Sequence, residues 1–424
     1  MIKASLALLP VGAIFLGVAL AWALGATGIL LYPATGYDTY LQALPRRIFS
    51  QMDVFALMAM PLFILVGELM NRLKVTDVLI RFSMLLVGKS KGGLGHVNIA
   101  TSLFFAGVSG SAMADAAALS TTLVPSMREK GYSAEYAGAI TAASSMIGPI
   151  IPPSIILIFY GAIMGVDVAT LFAAAVVPGL LLALTLFLAN AIFARIENHP
   201  REDGRPPFVE TVLRALPALL MPAIVIAGIV FGLVTPTEAG ALAVVAVMAA
   251  SFLLGTLTMT AVRDSFIQAA KLTGVIFSLL VSAAAINFLA ALSGLPELVG
   301  EWASSLNLSL PGFVVLMLAM FLVCGMFLDT QVALVLVAPI LAPAAYALGG
   351  DPVHLGIVIC LTISLGLITP PIGGAILVVT SVTATPYGRL MRATLPFVIV
   401  EFLLILFFAL CPEVVMALPR LINA

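Results

Sequence analysis

The sequence GPIIPP at positions 148–153 interrupts an apolar run, 134–164, that is too long for one simple helix. Proline has no amide hydrogen to donate, and its ring clashes with the preceding turn, so consecutive prolines cannot continue an α-helix. A second sequence of this kind, GLITPP at 366–371, interrupts the run at 353–383. Each predicts a transmembrane crossing that is broken inside the apolar layer.

The two breaks belong to an internal repeat. Four residues recur 218 positions later, as Gly148/Gly366, Pro152/Pro370, Pro153/Pro371 and Pro178/Pro396. Upstream, Asp115 and Pro125 recur 214 positions later as Asp329 and Pro339. Several matches at a common offset predict two related halves.

The composition indicates a membrane protein. Hydrophobic residues make up 62% of the 424 residues and charged residues 9%, where soluble domains have about 25% charged residues. The mean hydropathy is +1.20. Apolar runs of helix length follow one another along the chain, without the short alternating stretches of a β-barrel. We therefore expect an all-α, multi-pass protein.

Other features exclude several classes. The run at 4–31 is too long for a signal-peptide core, so we expect it to be retained as membrane structure. A net charge of −1 without a basic patch gives no indication of nucleic-acid binding. Cys324, Cys360 and Cys411 have no paired spacing, so neither a disulfide framework nor a metal site is expected.

Two re-entrant hairpins are expected. The apolar pieces 97–108 and 112–124 are each too short to cross the bilayer, and both outer ends are basic. They predict a hairpin over about 92–128 with its tip at 109–111. Such a tip is tolerated at membrane depth only where protein buries it or a cavity adjoins it. The repeat predicts a second hairpin over about 311–347.

The charges indicate that the second half is inverted. Lysines and arginines flank the first hairpin, whereas none occurs between Lys271 and Arg389. Because basic loops favour the cytoplasm, the second hairpin is expected to open towards the periplasm. The predicted organisation is a first repeat at 1–194, a cytoplasmic loop and linking helix at 195–235, and a second repeat at 236–424. Inverted repeats with broken helices are typical of secondary transporters.

The breaks supply chemistry for ions. Unwound backbone exposes carbonyl oxygens that suit a hard cation such as Na⁺, and helix N-termini favour anions. The candidate cation-binding residues are, in the first half, Ser109, Ser111, Gly148, Ile150 and Pro153, and, in the second, Gly325, Asp329, Gly366, Thr369 and Pro370. The alternatives are that the breaks are packing kinks and that Asp115 and Asp329 only cap helices.

Five motifs cover nearly the whole chain in order: ALMAMPLFILVGELM at 56–70, GVSGSAMAD at 107–115, IGPIIPPS at 147–154, TPTEA at 235–239 and GLITPPIG at 366–373. Together they resemble a known family, the large membrane subunit of TRAP (tripartite ATP-independent periplasmic) transporters. One departure is LTISL at 361–365, where the family leads us to expect an asparagine before Gly366.

The resemblance implies an elevator-type, Na⁺-coupled importer of small organic acids, such as a dicarboxylate or sialic acid, in the bacterial inner membrane. Its expected partners are a small four-helix membrane subunit and a periplasmic substrate-binding protein. The hairpins and broken helices would move as a transport domain, and outer helices with an amphipathic arm near 76–87 would form a scaffold. Na⁺ would be the coupling ion, with no other cofactor.

The resemblance also places the substrate carboxylate between the two hairpin tips. The candidate residues there are Ser109, Gly110, Asp115, Pro152, Pro371 and Gly373. The chain has no Gly-x4-Gly-Lys-Ser/Thr motif to bind ATP.

Three other functions are considered. A stand-alone Na⁺/dicarboxylate symporter has the same architecture, and a passive channel would transport without a Na⁺ gradient. An intramembrane serine protease is suggested by GVSG at 107–110, but it would need a histidine beside Ser109 to activate the hydroxyl.

Overall fold

A computed structural model describes residues 18–422, apart from residues 74, 202, 203, 205, 254, 306 and 307. The predicted membrane segment at 4–31 therefore lies partly outside the described residues. The described part of the chain forms α-helices and three short 3-10 helices, and it contains no strand.

The helices of the first half, through the chain to the linker, are α1 (Leu20–Thr35), α2 (Leu44–Met52), α3 (Ala59–Arg72), α4 (Val75–Val87), α5 (Gly93–Ser109), α6 (Ala112–Glu129), α7 (Ala134–Ser144), α8 (Ile155–Met164), α9 (Val168–Ile196) and α10 (Phe208–Val230). Those that follow are α11 (Pro236–Leu253), α12 (Met259–Leu292), α13 (Leu295–Ser305), α14 (Leu310–Phe327), α15 (Thr330–Ala347), α16 (Pro352–Gly366), α17 (Gly374–Thr383), α18 (Tyr387–Leu410), α19 (Pro412–Val415) and α20 (Ala417–Ile422).

The all-α, multi-pass class is confirmed. Eight helical stretches among the described residues are long and apolar enough to cross a membrane. The longest helices also carry apolar side chains outward: on α9, Leu180, Leu184 and Leu188 lie half exposed while Leu182 and Leu186 are buried. A helix that is apolar on both its buried and its outer face is suited to lipid.

The two hairpins and two broken helices are present. The hairpins are formed by α5 with α6 and by α14 with α15. The first broken helix comprises α7, a 3-10 turn at Ser145–Ile147 and, after the prolines, α8; the second comprises α16 and α17. Both Pro-Pro peptide bonds are cis.

Polar caps determine where several of these pieces begin. The hydroxyl of Ser133 accepts a hydrogen bond from the Tyr136 amide at the start of α7, and that of Ser154 accepts one from the Leu157 amide at the start of α8. A carboxylate oxygen of Asp351 accepts from two amides at the start of α16. These caps satisfy amides that have no partner within the helix.

The hairpins and broken helices of the two halves contact one another in a reciprocal pattern. The first arm of each hairpin packs against the first piece of its own broken helix, so α5 contacts α7 and α14 contacts α16. The second arm of each hairpin packs against the second piece of the other broken helix, so α6 contacts α17 and α15 contacts α8. This pairing holds the four units together in one body.

Several of the remaining helices pack together as a framework. The 34-residue α12 packs along α1 and α3, and α3 also packs against α11. The amphipathic α4 lies against both α5 and α10. The arm helix expected near 76–87 therefore contacts the first hairpin as well as the framework.

Candidate functional site

The tip of the first hairpin is a tight turn at Ser109, Gly110 and Ser111. Helix α5 ends at Ser109, Gly110 has a φ of 58°, and Ser111 caps α6. A β-carbon on Gly110 would lie 2.8 Å from the Pro153 carbonyl oxygen. Glycine is therefore required both for the backbone angle and for the close approach of the first break.

Asp115 lies behind this tip, fully buried in the first turn of α6. One of its carboxylate oxygens, Oδ1, accepts a hydrogen bond from the Ser109 hydroxyl. The other, Oδ2, is buried without a hydrogen-bond partner. A buried carboxylate oxygen without a partner is costly, and a cation is one ligand that removes the cost.

The backbone of the first break meets this free oxygen. A β-carbon on Gly148 would lie 2.5 Å from Asp115 Oδ2. Inside the break, the Ser154 hydroxyl donates to the Pro149 carbonyl, and Ile150 and Ile151 pack towards Gly179 of α9. The structure thus brings Ser109, Gly110, Gly148, Pro153 and Asp115 together.

The second hairpin and the second broken helix make a close contact between their backbones. A β-carbon on Gly325 would lie 2.3 Å from the Ile363 carbonyl oxygen, and one on Gly366 would overlap the backbone of Gly325. Gly325 lies within α14, two residues before its end, so the tip is the shorter Leu328–Asp329 link. The Thr369 hydroxyl donates to the Leu365 carbonyl at 2.7 Å.

Asp329 differs from its counterpart Asp115. It is half buried, caps α15, and accepts a hydrogen bond from the Gln331 amide at 3.0 Å. The carbonyls of Pro371 and Ile372 each accept a hydrogen bond from the Tyr387 hydroxyl, at 2.6 and 2.7 Å. Pro371 is exposed.

A cavity of about 390 Å³ is lined by residues of both hairpin tips, α3 and α12. Four of its apolar lining residues, Leu272, Val275, Ile276 and Leu279, come from α12. Its polar lining consists of Glu68, Asn71, Ser109, Ser111, Asp329 and Gln331. Gly110, Asp115, Pro152, Pro371 and Gly373, which were candidates for substrate binding, lie outside this lining.

The lining includes polar residues that the sequence motifs do not identify. Glu68 and Asn71 share one face of α3 at helical spacing, and Gln331 follows the cap of α15. An acid and an amide three residues apart, after the apolar first two turns of α3, are the signal that could have identified the pair, because polar groups in membrane helices face protein or water.

A buried polar network supports the first hairpin. The Asn98 side chain donates to the Thr141 hydroxyl at 2.6 Å and accepts from the Ser144 hydroxyl at 2.9 Å, and Ser102 donates to Ser144 at 2.9 Å. Among the described residues, α14 and α16 of the second half are not joined by a comparable polar network. The buried Ser364 hydroxyl of α16 has no hydrogen-bond partner.

None of the three histidines, all of them among the described residues, lies beside Ser109. His96 stacks on Phe187, His199 contacts Glu197, and His354 contacts the Phe408 carbonyl. His354 is buried in the first turn of α16. The protease hypothesis therefore lacks the histidine that it needs to activate Ser109.

Comparisons with known proteins agree with these features. A family model described as "Tripartite ATP-independent periplasmic transporter, DctM component" matches residues 8–414. The sialic acid TRAP transporter large permease protein SiaM of Vibrio cholerae is 33% identical, over 97% of this chain and 95% of its own. The 2,3-diketo-L-gulonate TRAP transporter large permease protein YiaN of Escherichia coli is also 33% identical, over 97% of each chain.

A C4-dicarboxylate TRAP transporter large permease protein, DctM of Pseudomonas aeruginosa, is 32% identical over 93% of this chain and 92% of its own. Among solved structures, the YdaH transporter of Alcanivorax borkumensis matches with a TM-score of 0.61 over 89% of each chain. At 16% sequence identity, this likeness concerns the fold alone.

Proposed function

This chain belongs to the DctM component family of tripartite ATP-independent periplasmic transporters, and we propose that it is the large permease of a Na⁺-coupled importer of small carboxylates. Membership of this family makes it a multi-pass protein of the bacterial inner membrane and not an enzyme. The proposed partners are a small four-helix membrane subunit and a periplasmic substrate-binding protein, and the proposed driving force is the Na⁺ gradient without ATP.

One observation carries the proposal of a coupling cation: the buried, unpartnered Oδ2 of Asp115 between the first hairpin tip and the first break. A cation bound there would be held by this oxygen with hydroxyl or carbonyl oxygens of Ser109, Ser111, Gly148, Ile150 and Pro153. A single buried carboxylate is neutralised by a single positive charge, which favours Na⁺ over divalent ions that take several carboxylates.

A second cation would bind where the second hairpin meets the second break. The contributing residues are Gly325, Asp329, Gly366, Thr369 and Pro370. The close backbone contact of Gly325 with Ile363 supports this placement, because it brings carbonyl groups of two helices to one point. The half-buried Asp329 would supply negative charge from the cavity side.

The cargo would bind in the cavity between the tips and α3. There a carboxylate group would lie at the N-terminus of α6, whose first-turn amides have no carbonyl partner within the helix. Cations bound behind both tips would order them and favour the anionic cargo. The hairpins and broken helices, which pack reciprocally, would then move together against α1, α3 and α10–α12, as an elevator.

The test is uptake by proteoliposomes that contain this chain, its small subunit and its binding protein, with an imposed Na⁺ gradient. Asp115→Asn keeps the size of the side chain and an oxygen for the Ser109 hydroxyl but removes the charge. We expect it to raise the Na⁺ concentration for half-maximal uptake at least tenfold. Asp167→Asn, a change at an exposed helix cap, is the matched control and should retain the wild-type Na⁺ dependence.

Three results would contradict the proposal. Wild-type Na⁺ dependence in Asp115→Asn would remove the first cation site. Uptake that is insensitive to the Na⁺ gradient would indicate a passive channel. Efficient uptake by this chain alone would indicate a stand-alone symporter.

A further inference from the structure

A side-chain hydrogen bond joins the framework to the second hairpin. Asn287 of α12 donates from its Nδ2 to the backbone carbonyl of Val335 on α15, at 2.8 Å. Among the described residues, it is the one hydrogen bond between the framework helices α1, α3 and α10–α12 and the helices of the hairpins and breaks. It therefore crosses the surface along which the proposed elevator movement takes place.

The Val335 carbonyl is free to accept this bond because of a proline. In an α-helix each carbonyl accepts from the amide four residues later, and proline has no amide hydrogen. Pro339 lies four residues after Val335 within α15, so Asn287 supplies the donor that the helix lacks. The Oδ1 of the same asparagine is buried without a hydrogen-bond partner. Breaking this partly satisfied contact costs less than breaking a fully satisfied network.

The first half carries the same arrangement. Asn71 of α3 precedes Asn287 by 216 positions, between the offsets of 214 and 218 that relate the other repeated residues. The order of the elements agrees, because α3 and α12 each precede a short helix and then a hairpin. On α6, Pro125 lies four residues after Thr121, which leaves the Thr121 carbonyl without its usual donor. These two positions lie 214 residues before the corresponding pair of α15.

The equivalent bond of the first half is not formed in this structure. Asn71 is exposed and lines the cavity, without a hydrogen-bond partner among the described residues. Thr121 and Pro125 are exposed as well. The helices show the same asymmetry, since α12 packs against α15, the second arm of its hairpin, whereas α3 packs against α5, the first arm, and has no comparable contact with α6. The two related halves therefore hold their hairpins differently against the framework.

The difference corresponds to a slide along α6. Asn71 and Ala114 line the same cavity, and Thr121 lies seven residues further along α6 than Ala114, which is about 10 Å at the rise of an α-helix. In an inverted repeat, exchanging the arrangements of the two halves gives the state that opens to the opposite side of the membrane. In that state α3 would pack on α6 as α12 packs on α15 in this structure.

We propose, on the basis of the elevator movement proposed above, that Asn287 and Asn71 form alternating latches, each a hydrogen bond that holds one end state of the transport cycle. In the state of this structure, Asn287 bonds the carbonyl that Pro339 leaves free. In the opposite state this bond is broken, and Asn71 donates to the Thr121 carbonyl that Pro125 leaves free. Both asparagines are positioning residues, because each stabilises one position of the hairpins against the framework.

The test measures the distance between two spin labels by pulsed electron paramagnetic resonance. The protein is the purified complex of this chain and its small subunit, without cargo, in the presence and in the absence of Na⁺. The labels are attached to Thr260→Cys on α12 and Ser381→Cys on α17, two exposed polar positions, after the three native cysteines are replaced by alanine. Two distances are expected, one of which matches this structure, and the ratio of their populations is the quantity compared.

Two variants should shift this ratio in opposite directions. Asn287→Leu should lower the population of the state of this structure, relative to the other state, about fivefold, which is the effect of one hydrogen bond. Asn71→Leu should raise the same ratio about fivefold, and the double variant should return close to the wild-type ratio. A general loss of stability would not produce opposite shifts. The matched control is Ser278→Ala, also on α12, whose hydroxyl bonds the Val275 carbonyl of its own helix at 2.7 Å and should leave the ratio unchanged.

Unchanged ratios in both asparagine variants, or shifts in the same direction, would overturn the latches and leave the elevator movement and Na⁺ coupling intact. A shift in Asn287→Leu without one in Asn71→Leu would overturn the alternation. A single distance in the wild type and in every variant, with and without Na⁺, would contradict the elevator movement itself, and the latches would fail with it.

Discussion

The contact between Gly325 and the Ile363 carbonyl provides the most direct test of the second half of the site. Substitution of Gly325 by alanine adds one methyl group at a position 2.3 Å from that oxygen, where ordinary contacts begin at about 3.4 Å. The two backbones must therefore separate by about 1 Å. Because the obstacle is backbone, no side-chain rotation can relieve it.

Two opposing effects determine the stability of this variant. Alanine in a helix interior is favoured over glycine by about 1 kcal/mol. Overpacking of a close-packed site costs about 1–3 kcal/mol, and a contact this short against backbone belongs at the upper end. We expect Gly325→Ala to lower the free energy of unfolding by about 1–2 kcal/mol.

The effect on Na⁺ should be larger than the effect on stability. Oxygen ligands of hard cations lie within a narrow range, about 2.3–2.6 Å for Ca²⁺, so a displacement of about 1 Å removes an oxygen from coordination. We expect the Na⁺ concentration for half-maximal uptake to rise at least tenfold. The assay is uptake by the full complex in proteoliposomes across a series of Na⁺ concentrations, with thermal unfolding of the same protein.

Gly300→Ala is the matched control. Gly300 is also a helical glycine, on α13, and a β-carbon there would meet no atom within 4 Å. It should leave Na⁺ dependence unchanged and should not reduce stability, because only the gain in helix propensity remains. Wild-type Na⁺ dependence in Gly325→Ala, with the alanine incorporated and the protein folded, would refute the idea that this backbone contact forms part of a cation site.

Two further predictions concern the support of the site. Asn98→Leu should lower the free energy of unfolding by about 1–3 kcal/mol, because the buried hydroxyls of Thr141 and Ser144 lose their common partner. Thermal unfolding in detergent measures this loss, and an unchanged unfolding midpoint would contradict the prediction. Tyr160→Phe should lower the free energy of unfolding by about 1 kcal/mol, since the Tyr160 hydroxyl forms hydrogen bonds with the Tyr346 hydroxyl at 2.6 Å and the Pro352 carbonyl at 3.0 Å. In a double-mutant cycle with Tyr346→Phe, strictly additive losses of stability would show that the two hydroxyls are not coupled.

The backbone plan could be predicted because it depends on local chemistry. Consecutive prolines stop a helix wherever they occur, and apolar pieces of 12 or 13 residues cannot cross a bilayer, so local chemistry predicts both breaks and the first hairpin. The internal repeat then predicts the second hairpin. The turn of the second hairpin is harder to predict, since α14 continues past Gly325 to Phe327. Nothing in the sequence marks where an uninterrupted apolar helix ends.

The cavity could not be predicted in the same way. Glu68 and Gln331 are 263 positions apart and line one cavity only because α3 and the second hairpin both pack against α12. Composition and spacing report on a single segment, whereas this lining depends on which faces of distant helices meet. The sequence alone therefore does not identify Glu68 as a cavity residue, and the structure does.

The two halves share their backbone interruptions but not the side chains around them, so cation ligands are harder to predict from the sequence than the breaks are. The glycines and prolines recur because both halves need the same interruption of backbone, but the side chains around them have diverged. Asp115 is fully buried, pairs with Ser109 and retains a free oxygen, whereas its counterpart Asp329 is half buried and caps a helix. The first hairpin is supported by the Asn98 network and the second by direct backbone contact at Gly325. What recurs is the plan of the chain, and the chemistry of each half has to be established from its own contacts.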